Sequence, residues 1–376
     1  MSQHEVAPTA EHVALATWSR LVEPGDAMAQ AAVQAMGPCE ALQWLESATA
    51  AEIPPQLTER VERWRQRLVT ADIRRELAMA RHVEAHVVIP SDDEWPAGLD
   101  DLGAEAPLAL WVRGHVPPLA RSIAIVGARA ATRYGERAAA ELAVGAADHG
   151  VVIVSGGAYG IDAAAHRGAL SGESADDATV AVLAGGVDRL YPSGNESLLR
   201  RIVEVGAVIS ELPPVSAPTR HRFLARNRLI AAMTSATVVV EASHRSGARS
   251  TANHASRLLR PVGAVPGPIT SAQSAGCHAM LRDGQAMAVT SAQEMIELIE
   301  VVGHTHVQEP ISASGPLDGL PEDQARVLDA LPLRAAVSVQ SIAAAAGMAE
   351  REVRGALGLL ELAGKVRRSA DRWART

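Results

Sequence analysis

The sequence predicts a doubly wound α/β fold, in which helices cover both faces of a parallel sheet. Continuous runs of β-branched residues alternate with alanine-rich segments of helical composition, and the runs lie at 123–126, 151–154, 180–183, 208–210, 238–241 and 262–265. Strands that are apolar throughout and joined by helices form sheets buried between two helical layers. With two earlier apolar stretches, these runs assign residues 83–302 to one Rossmann-like domain, whose ligands should bind at the carboxyl ends of the strands.

The segments on either side predict two smaller domains. Apolar residues recur at helical spacing in residues 1–82, where Pro and Gly pairs divide them into short helices. Residues 303–319 are polar and aperiodic, as in a flexible linker. Residues 320–376 then predict three short helices, with Gly347 at the turn between the second and third, and a basic β-wing. This order is typical of a winged helix, although a solvated basic tail is the simpler alternative.

Composition excludes several classes of protein. The single lysine, Lys365, is followed by Val366, so no position can supply the lysine–hydroxyl pair of a P-loop. Cys39 and Cys277 lie far apart without clustered histidines, which argues against a zinc site. Neither a leader signal nor an apolar run of about 18 residues is present, so we expect a cytoplasmic protein without membrane association.

Positive charge is concentrated in one segment of an otherwise acidic chain. The formal net charge is -8, yet residues 220–260 contain eight arginines and one acid, Glu241. A polyanion responds to the local field rather than to the total charge, so this segment predicts a nucleic-acid surface. A solvated helix face with scattered arginines is the alternative.

Glycine-rich loops follow the first two strands of the alternating series. Gly127 precedes Arg129, and a second loop carries Ser155, Gly156, Gly157 and Gly160. Glycines let backbone N–H groups approach an anion, and a helix N-terminus adds partial positive charge, so these loops predict a phosphate site. Tight packing between strand and helix would explain the same glycines.

Enzymatic motifs are absent from the strand ends. The first loop is not GxGxxG, and Ser155-Gly156 stands where an NAD site would place a ribose-binding acid. Asp162 and His166 are four residues apart on a predicted helix, a spacing more typical of a surface or capping pair than of a catalytic dyad. We therefore expect no catalytic residue, no metal and no cofactor.

The loops, taken in order, resemble the DNA-processing protein A family, also called Smf, which comprises single-strand DNA-binding recombination mediators of bacteria. The resemblance is carried by Val126 to Arg129, Thr132, Tyr134-Gly135, Ser155 to Asp162, Ala165-His166, Tyr191-Pro192, Asn195, Ser210-Glu211, Phe223, Arg226 to Arg228, Glu241-Ala242, Ser246 to Ala248 and Val265 to Gly267. It covers essentially the whole α/β domain, and the flanking helical (SAM-like) and winged-helix domains resemble those of family members.

This resemblance implies that Arg129 and the Arg226-Asn227-Arg228 cluster contact the DNA backbone, with Phe223 near a base. The full set of expected DNA-binding residues is Arg129, Ser155, Gly156, Gly157, Gly160, Phe223, Arg226, Asn227, Arg228 and Arg249. The family usually has serine at position 128 and proline at 224, where this chain has alanine and leucine, and an apolar residue is common at 249. Phe223 could equally be a core residue.

The resemblance further implies a non-catalytic homodimer that binds single-stranded DNA and helps load the RecA recombinase during DNA uptake (natural transformation), recombination or repair. One alternative is a nucleotide-processing enzyme, since similar domains include hydrolases of nucleoside monophosphates. Another is a sequence-specific regulator that acts through the winged helix.

Overall fold

The computed structural model describes residues 8–172, 176–244, 246–300, 320–332, 335–369 and 371–376. The chain divides into two compact units, Met1–His304 and Thr305–Thr376. The expected linker, 303–319, lies outside the described residues. Over the ranges given, no helix combines the length and the apolar character needed to cross a membrane.

Five helices form the N-terminal part of the first unit: α1 (Ala10–Leu21), α2 (Ala27–Met36), α3 (Pro38–Ser47), α4 (Thr58–Thr70) and α5 (Ile73–His82). Trp18 and Trp64 meet edge to face at their centre, with ring centroids 5.5 Å apart. Asp26 caps α2 by accepting hydrogen bonds from the N–H groups of Met28 and Ala29. The helices share one hydrophobic core with part of the sheet, because the buried Trp111 packs among them and donates its indole N–H to Ser19 Oγ at 3.2 Å.

Within the described residues the sheet has nine strands: β1 (Ala85–Val88), β2 (Leu110–Gly114), β3 (Ser122–Gly127), β4 (Val152–Gly156), β5 (Thr179–Val182), β6 (Ala207–Ser210), β7 (Ala236–Val240), β8 (Val262–Ala264) and β9 (Met287–Ala288). Their spatial order is β1-β2-β6-β5-β4-β3-β7-β8-β9. Strands β3 to β9 pair in parallel, whereas β2 is antiparallel to β1 and β6. The doubly wound α/β prediction is confirmed. Strand β9 was not predicted, since it has only two residues and neither is β-branched.

Helices α6 (Arg133–Ala147), α7 (Ile161–Ala169) and α12 (Ala292–Glu297) cover one face of the sheet. Helices α9 (Arg220–Met233), α10 (Ala248–Arg257) and α11 (Ala275–Arg282) cover the other, and α8 (Glu196–Val205) packs with the N-terminal helices. Successive side chains of a strand point to opposite faces of the sheet, so each strand contributes to both layers. Ile123 and Ile125 of β3 enter one core, whereas Ala124 and Val126 enter the other. The chain leaves β3 toward β4 and later returns to its other side as β7, so the winding direction reverses between β3 and β7.

The second unit contains α13 (Glu322–Asp329), α14 (Val339–Ala346) and α15 (Glu350–Leu362), with a small antiparallel sheet of β10 (Val337–Ser338), β11 (Val366–Ser369) and β12 (Arg372–Arg375). Gly347 ends α14 in the left-handed conformation, at φ 63° and ψ 39°, as expected for the turn before the third helix. Trp373 of the wing packs with Val327, Ile342 and Leu357 of the helices. The winged-helix prediction is confirmed.

Candidate nucleic-acid interface

A cleft of about 640 Å³ lies at the point where the winding of the sheet reverses. The loops after β3, β4 and β7 form its floor, and the first half of α9 forms a wall. Open α/β sheets bind their ligands at such switch points, because the flanking helices diverge there. The cleft is lined by Val126, Gly127, Arg129, Ala158, Asp162, Pro218, Thr219, Arg220, Phe223, Leu224, Arg226, Asn227, Ile230, Ser246, Gly247, Ala248, Ser250 and Thr251.

Arg129 and Phe223 form the central contact of the cleft. The exposed guanidinium of Arg129 lies 4.2 Å from the centroid of the Phe223 ring, a cation–π contact that restrains the arginine and leaves its charge at the surface. The Tyr191 ring approaches Phe223 at a centroid distance of 6.3 Å. Phe223 is thus half-buried, and its contacts position Arg129.

Glu241 anchors the loop that carries Arg129. Its buried carboxylate accepts hydrogen bonds from Thr132 N at 2.8 Å and from Thr132 Oγ1 at 2.5 Å. Thr132 also caps α6 by accepting from Gly135 N, and a Cβ at Gly135 would collide with the Glu241 carboxylate. The single acid of the arginine-rich segment therefore has a positioning role, which the charge count alone could not indicate.

The second glycine loop packs beneath the cleft. Ser155 is fully buried and donates its hydroxyl to Ile125 O, while a Cβ at Gly156 would collide with the Arg226 guanidinium. Gly160 has φ +75° and lies against the backbone carbonyl of Arg129. The glycines thus make room for an arginine and a tight turn. Gly157 differs, because it lines a smaller cavity beside the cleft.

Arg226 brings a buried positive charge to the floor of the cleft. Its Nη1 donates to Val182 O at 2.5 Å, and within the described residues its Nε has no hydrogen-bond partner. Burial is the main cause that lowers its pKa to about 10, so the guanidinium stays protonated at neutral pH. A cation held under an open groove attracts anions, although the nearby Asp162 carboxylate offsets part of its charge.

Asp162 is the acid of this cleft, contrary to the expectation of a surface or capping pair with His166. Both side chains are buried, and His166 Nδ1 bonds Thr179 Oγ1 at 2.7 Å. Burial raises the pKa of Asp162 to about 6, against the opposing effects of Arg226, Arg129, the Ala158 N–H and the Ser155 hydroxyl. Burial also lowers the pKa of His166 to about 3, so this histidine is neutral at physiological pH.

Arg228 points away from the cleft, contrary to the expectation that it contacts DNA with Arg226. Two residues apart on α9, the side chains project in nearly opposite directions, since each helical residue turns by about 100°. Arg228 Nη1 and Nη2 pair with the Glu211 carboxylate at 2.9 and 2.7 Å, and only 3% of the side chain is exposed. Both groups are buried, so Arg228 fixes α9 to the end of β6.

Of the remaining predicted DNA-binding residues, one lines the cleft and one lies outside it. Asn227 lines the cleft and donates Nδ2 to Gly247 O at 3.2 Å. Arg249 is half-buried and donates Nη1 to His244 O at 2.9 Å, outside the cleft lining. Arg220, which was not in the predicted set, is exposed and lines the cleft.

Acids from distant parts of the sequence neutralise much of the arginine-rich segment. Arg222 pairs with Glu23 at 3.0 Å, and Arg260 pairs with Asp101 at 2.7 Å. Arg245 lies outside the described residues. Fewer than the eight arginines of this segment therefore contribute unpaired positive charge. The positive charge that lines the cleft comes from Arg129, Arg220 and Arg226. In the part of the chain that the structure describes, no group of three His, Cys, Asp or Glu side chains could hold a metal ion.

Comparisons with known proteins agree with this architecture. The family model of DNA recombination-mediator protein A matches residues 86–300, and the model of the DprA winged helix domain matches residues 312–372. A DNA processing protein DprA of Mycobacterium tuberculosis is 44% identical over 98% of this chain and 95% of its own length.

Two solved structures are similar to the chain. DNA processing protein A from Streptococcus pneumoniae superposes with a TM-score of 0.63, at 28% identity, over 79% of this chain and 100% of its own. DNA processing protein A from Helicobacter pylori, described for its single-stranded DNA binding mode, has a TM-score of 0.51, at 30% identity, over 57% of this chain and 95% of its own. With a family model that spans more than half of its length, the chain belongs to the DNA recombination-mediator protein A (DprA) family.

Proposed function

We propose that this recombination mediator binds single-stranded DNA in the cleft. The observation that carries the proposal is the arrangement of Arg129 on the Phe223 ring above the buried Arg226, at the switch point of the sheet. Arginine guanidinium groups make charge-assisted hydrogen bonds to phosphate oxygens, and such contacts position a strand without reading its sequence. The Helicobacter pylori relative, whose description names single-stranded DNA, supports the same ligand class.

The cleft assigns different tasks to its side chains. Arg129 is exposed and can contact a phosphate directly, whereas Arg226 contributes its field from below the surface. Glu241 and Asn195 hold the two loops in place, since Asn195 Nδ2 donates to Gly157 O and Ala158 O at 3.0 Å each. A site built in advance loses little conformational entropy when the strand binds.

We further propose that the protein works as a homodimer that helps RecA form filaments on the bound strand. The missing P-loop lysine argues that nucleotide hydrolysis in such a mixture belongs to RecA, so this protein would contribute binding energy and local concentration. RecA filament assembly should therefore be faster on DNA coated with single-strand-binding protein when the wild type is added. Fluorescently labelled DNA measures the assembly rate, and Arg129→Ala is the variant to compare. No acceleration by the wild type, or equal acceleration by a variant that no longer binds DNA, would refute this mediator mechanism.

The affinity of the cleft for single-stranded DNA should rise as the pH falls through about 6. Protonation of Asp162, whose pKa is raised to about 6, removes the negative charge beside Arg129 and Arg226. The pKa of Asp162 in the folded protein lies above the ordinary 3.8, so protonated Asp162 also stabilises the fold. This contribution is complete at a pH below 3.8 and is lost as the pH rises through 6. Fluorescence anisotropy titrations from pH 5 to 8 measure the binding effect. Asp162→Asn should bind more tightly at pH 8 and lose this component of the pH dependence, and an unchanged profile would contradict the assignment.

A nucleotide-processing enzyme is the second candidate, and the buried carboxyl of Asp162 in the cleft favours it. That function predicts turnover of a nucleoside monophosphate, which Asp162→Asn would abolish. The DNA-binding proposal predicts no turnover of a nucleoside monophosphate by the wild type or by Asp162→Asn. Product analysis by liquid chromatography separates the two.

A further inference from the structure

A smaller cavity of about 60 Å³ opens beside the cleft and brings further aromatic surface to it. It shares Arg129, Phe223 and Arg226 with the cleft, and its other lining residues include Tyr159, Tyr191 and Arg189. The two tyrosines are 49% and 50% exposed, respectively. The cavity is too small to enclose a nucleobase, so a base at this place would lie across its mouth.

Phe223 offers little free ring surface to such a base. Arg129 covers the ring at 4.2 Å, and Tyr191 approaches it at 6.3 Å with 51° between the ring planes. A base inserted between two rings needs parallel planes separated by roughly twice the carbon contact distance, about 7 Å. The gap between Phe223 and Tyr191 is narrower and tilted, so a base cannot enter it in this conformation.

Tyr159 is engaged in holding the neighbouring turn. Its hydroxyl accepts a hydrogen bond from Gly194 N at 3.2 Å, and a Cβ at Gly194 would lie 2.9 Å from Cε1 of the ring. Tyr159 therefore packs against the turn that follows Tyr191. Tyr191 is the aromatic side chain of this cavity that remains available to a base. It is half-exposed, and in the described aromatic pairs its ring contacts only the tilted ring of Phe223.

We propose that Tyr191 is the stacking platform for one base of the bound strand, beside the phosphate site at Arg129. This inference rests on the proposed function, because it adds a base contact to the same strand. Stacking tolerates every base, so it adds affinity without reading sequence. A duplex keeps its base faces stacked within the helix, so Tyr191 would also favour single strands over duplex.

The test compares a six-nucleotide oligothymidylate with an abasic oligomer of the same length and charge. The full-length wild type should bind the base-bearing oligomer more tightly, and Tyr191→Ala should reduce that preference by about tenfold, the loss typical of one base–aromatic stack. Tyr191→Leu, which keeps an apolar contact with Phe223 but has no π face, should lose a similar factor. Tyr191→Phe should retain the preference. Tyr134→Ala is the matched control, since Tyr134 is 45% exposed and lies outside the linings of both cavities.

The outcomes separate this inference from the proposed function. If Tyr191→Ala and Tyr191→Leu keep the full preference, or weaken both oligomers equally, Tyr191 does not stack on a base. That result would leave the phosphate site intact, provided that Arg129→Ala still weakens binding of the abasic oligomer. If the wild type bound neither oligomer, the proposed function would fail and this inference with it.

Discussion

Arg228→Ala is expected to lower the free energy of unfolding by about 3–5 kcal/mol, the range found when one partner of a buried ion pair is removed. The substitution would leave the Glu211 carboxylate without the guanidinium that now pairs with both of its oxygens at 2.7 and 2.9 Å. It would also remove the hydrogen bond from Arg228 Nε to Glu105 O at 3.0 Å. Urea unfolding followed by circular dichroism measures the change.

The control for this prediction is Arg200→Ala, which breaks an exposed ion pair with Glu196 on α8. Exposed pairs contribute about 0–1 kcal/mol, so this variant should unfold close to the wild type. The double variant Arg228→Met with Glu211→Leu should recover much of the lost stability, because it leaves no unpaired buried charge. If Arg228→Ala were no less stable than Arg200→Ala, the assignment of a structural role to Arg228 would be wrong.

Arg129→Ala is expected to weaken single-stranded DNA binding by about tenfold or more, while the free energy of unfolding stays near that of the wild type. A hydrogen bond from a charged donor contributes about 1.5–3 kcal/mol, and Arg129 is an exposed cation held against the Phe223 ring. Loss of one phosphate contact should also reduce the slope of log affinity against log salt by about 0.7. Fluorescence anisotropy with oligothymidylate at several salt concentrations measures both quantities.

Arg137→Ala removes the same charge from an exposed position on α6, where Arg137 pairs with Glu141 outside the cleft lining. It should keep the affinity and the salt slope within about twofold, because this charge already pairs with Glu141 and does not line the cleft. Equal losses in Arg129→Ala and Arg137→Ala would mean that DNA responds to net charge and not to the cleft.

The sheet could be predicted from sequence because its strands are buried on both faces, so β-branched runs coincide with strands from β3 to β8. The winged helix was predictable for a related reason, since Gly347 marks the turn between helices with regular apolar spacing. Strand β9 was not, because its pairing with β8 depends on the tertiary fold rather than on its own two residues.

The site was less predictable, because its chemistry depends on which distant groups meet. Arg226 and Arg228 look equivalent in a count of charges, yet one lies under the cleft and the other pairs with Glu211. Helical geometry could have separated them, since two residues on a helix do not share a face. No local signal indicated that Asp162 would be buried beside Arg226, or that Tyr191 would approach Phe223.

Photo-crosslinking of a thymidine oligomer to the full-length protein, followed by mass spectrometric mapping of the linked peptides, tests the central claim most directly. If the cleft is the binding site, crosslinks should appear in the loop after β3, near Tyr191 and in the first half of α9, and they should decrease in Arg129→Ala. Crosslinks confined to the winged helix, with none at the cleft, would contradict the account.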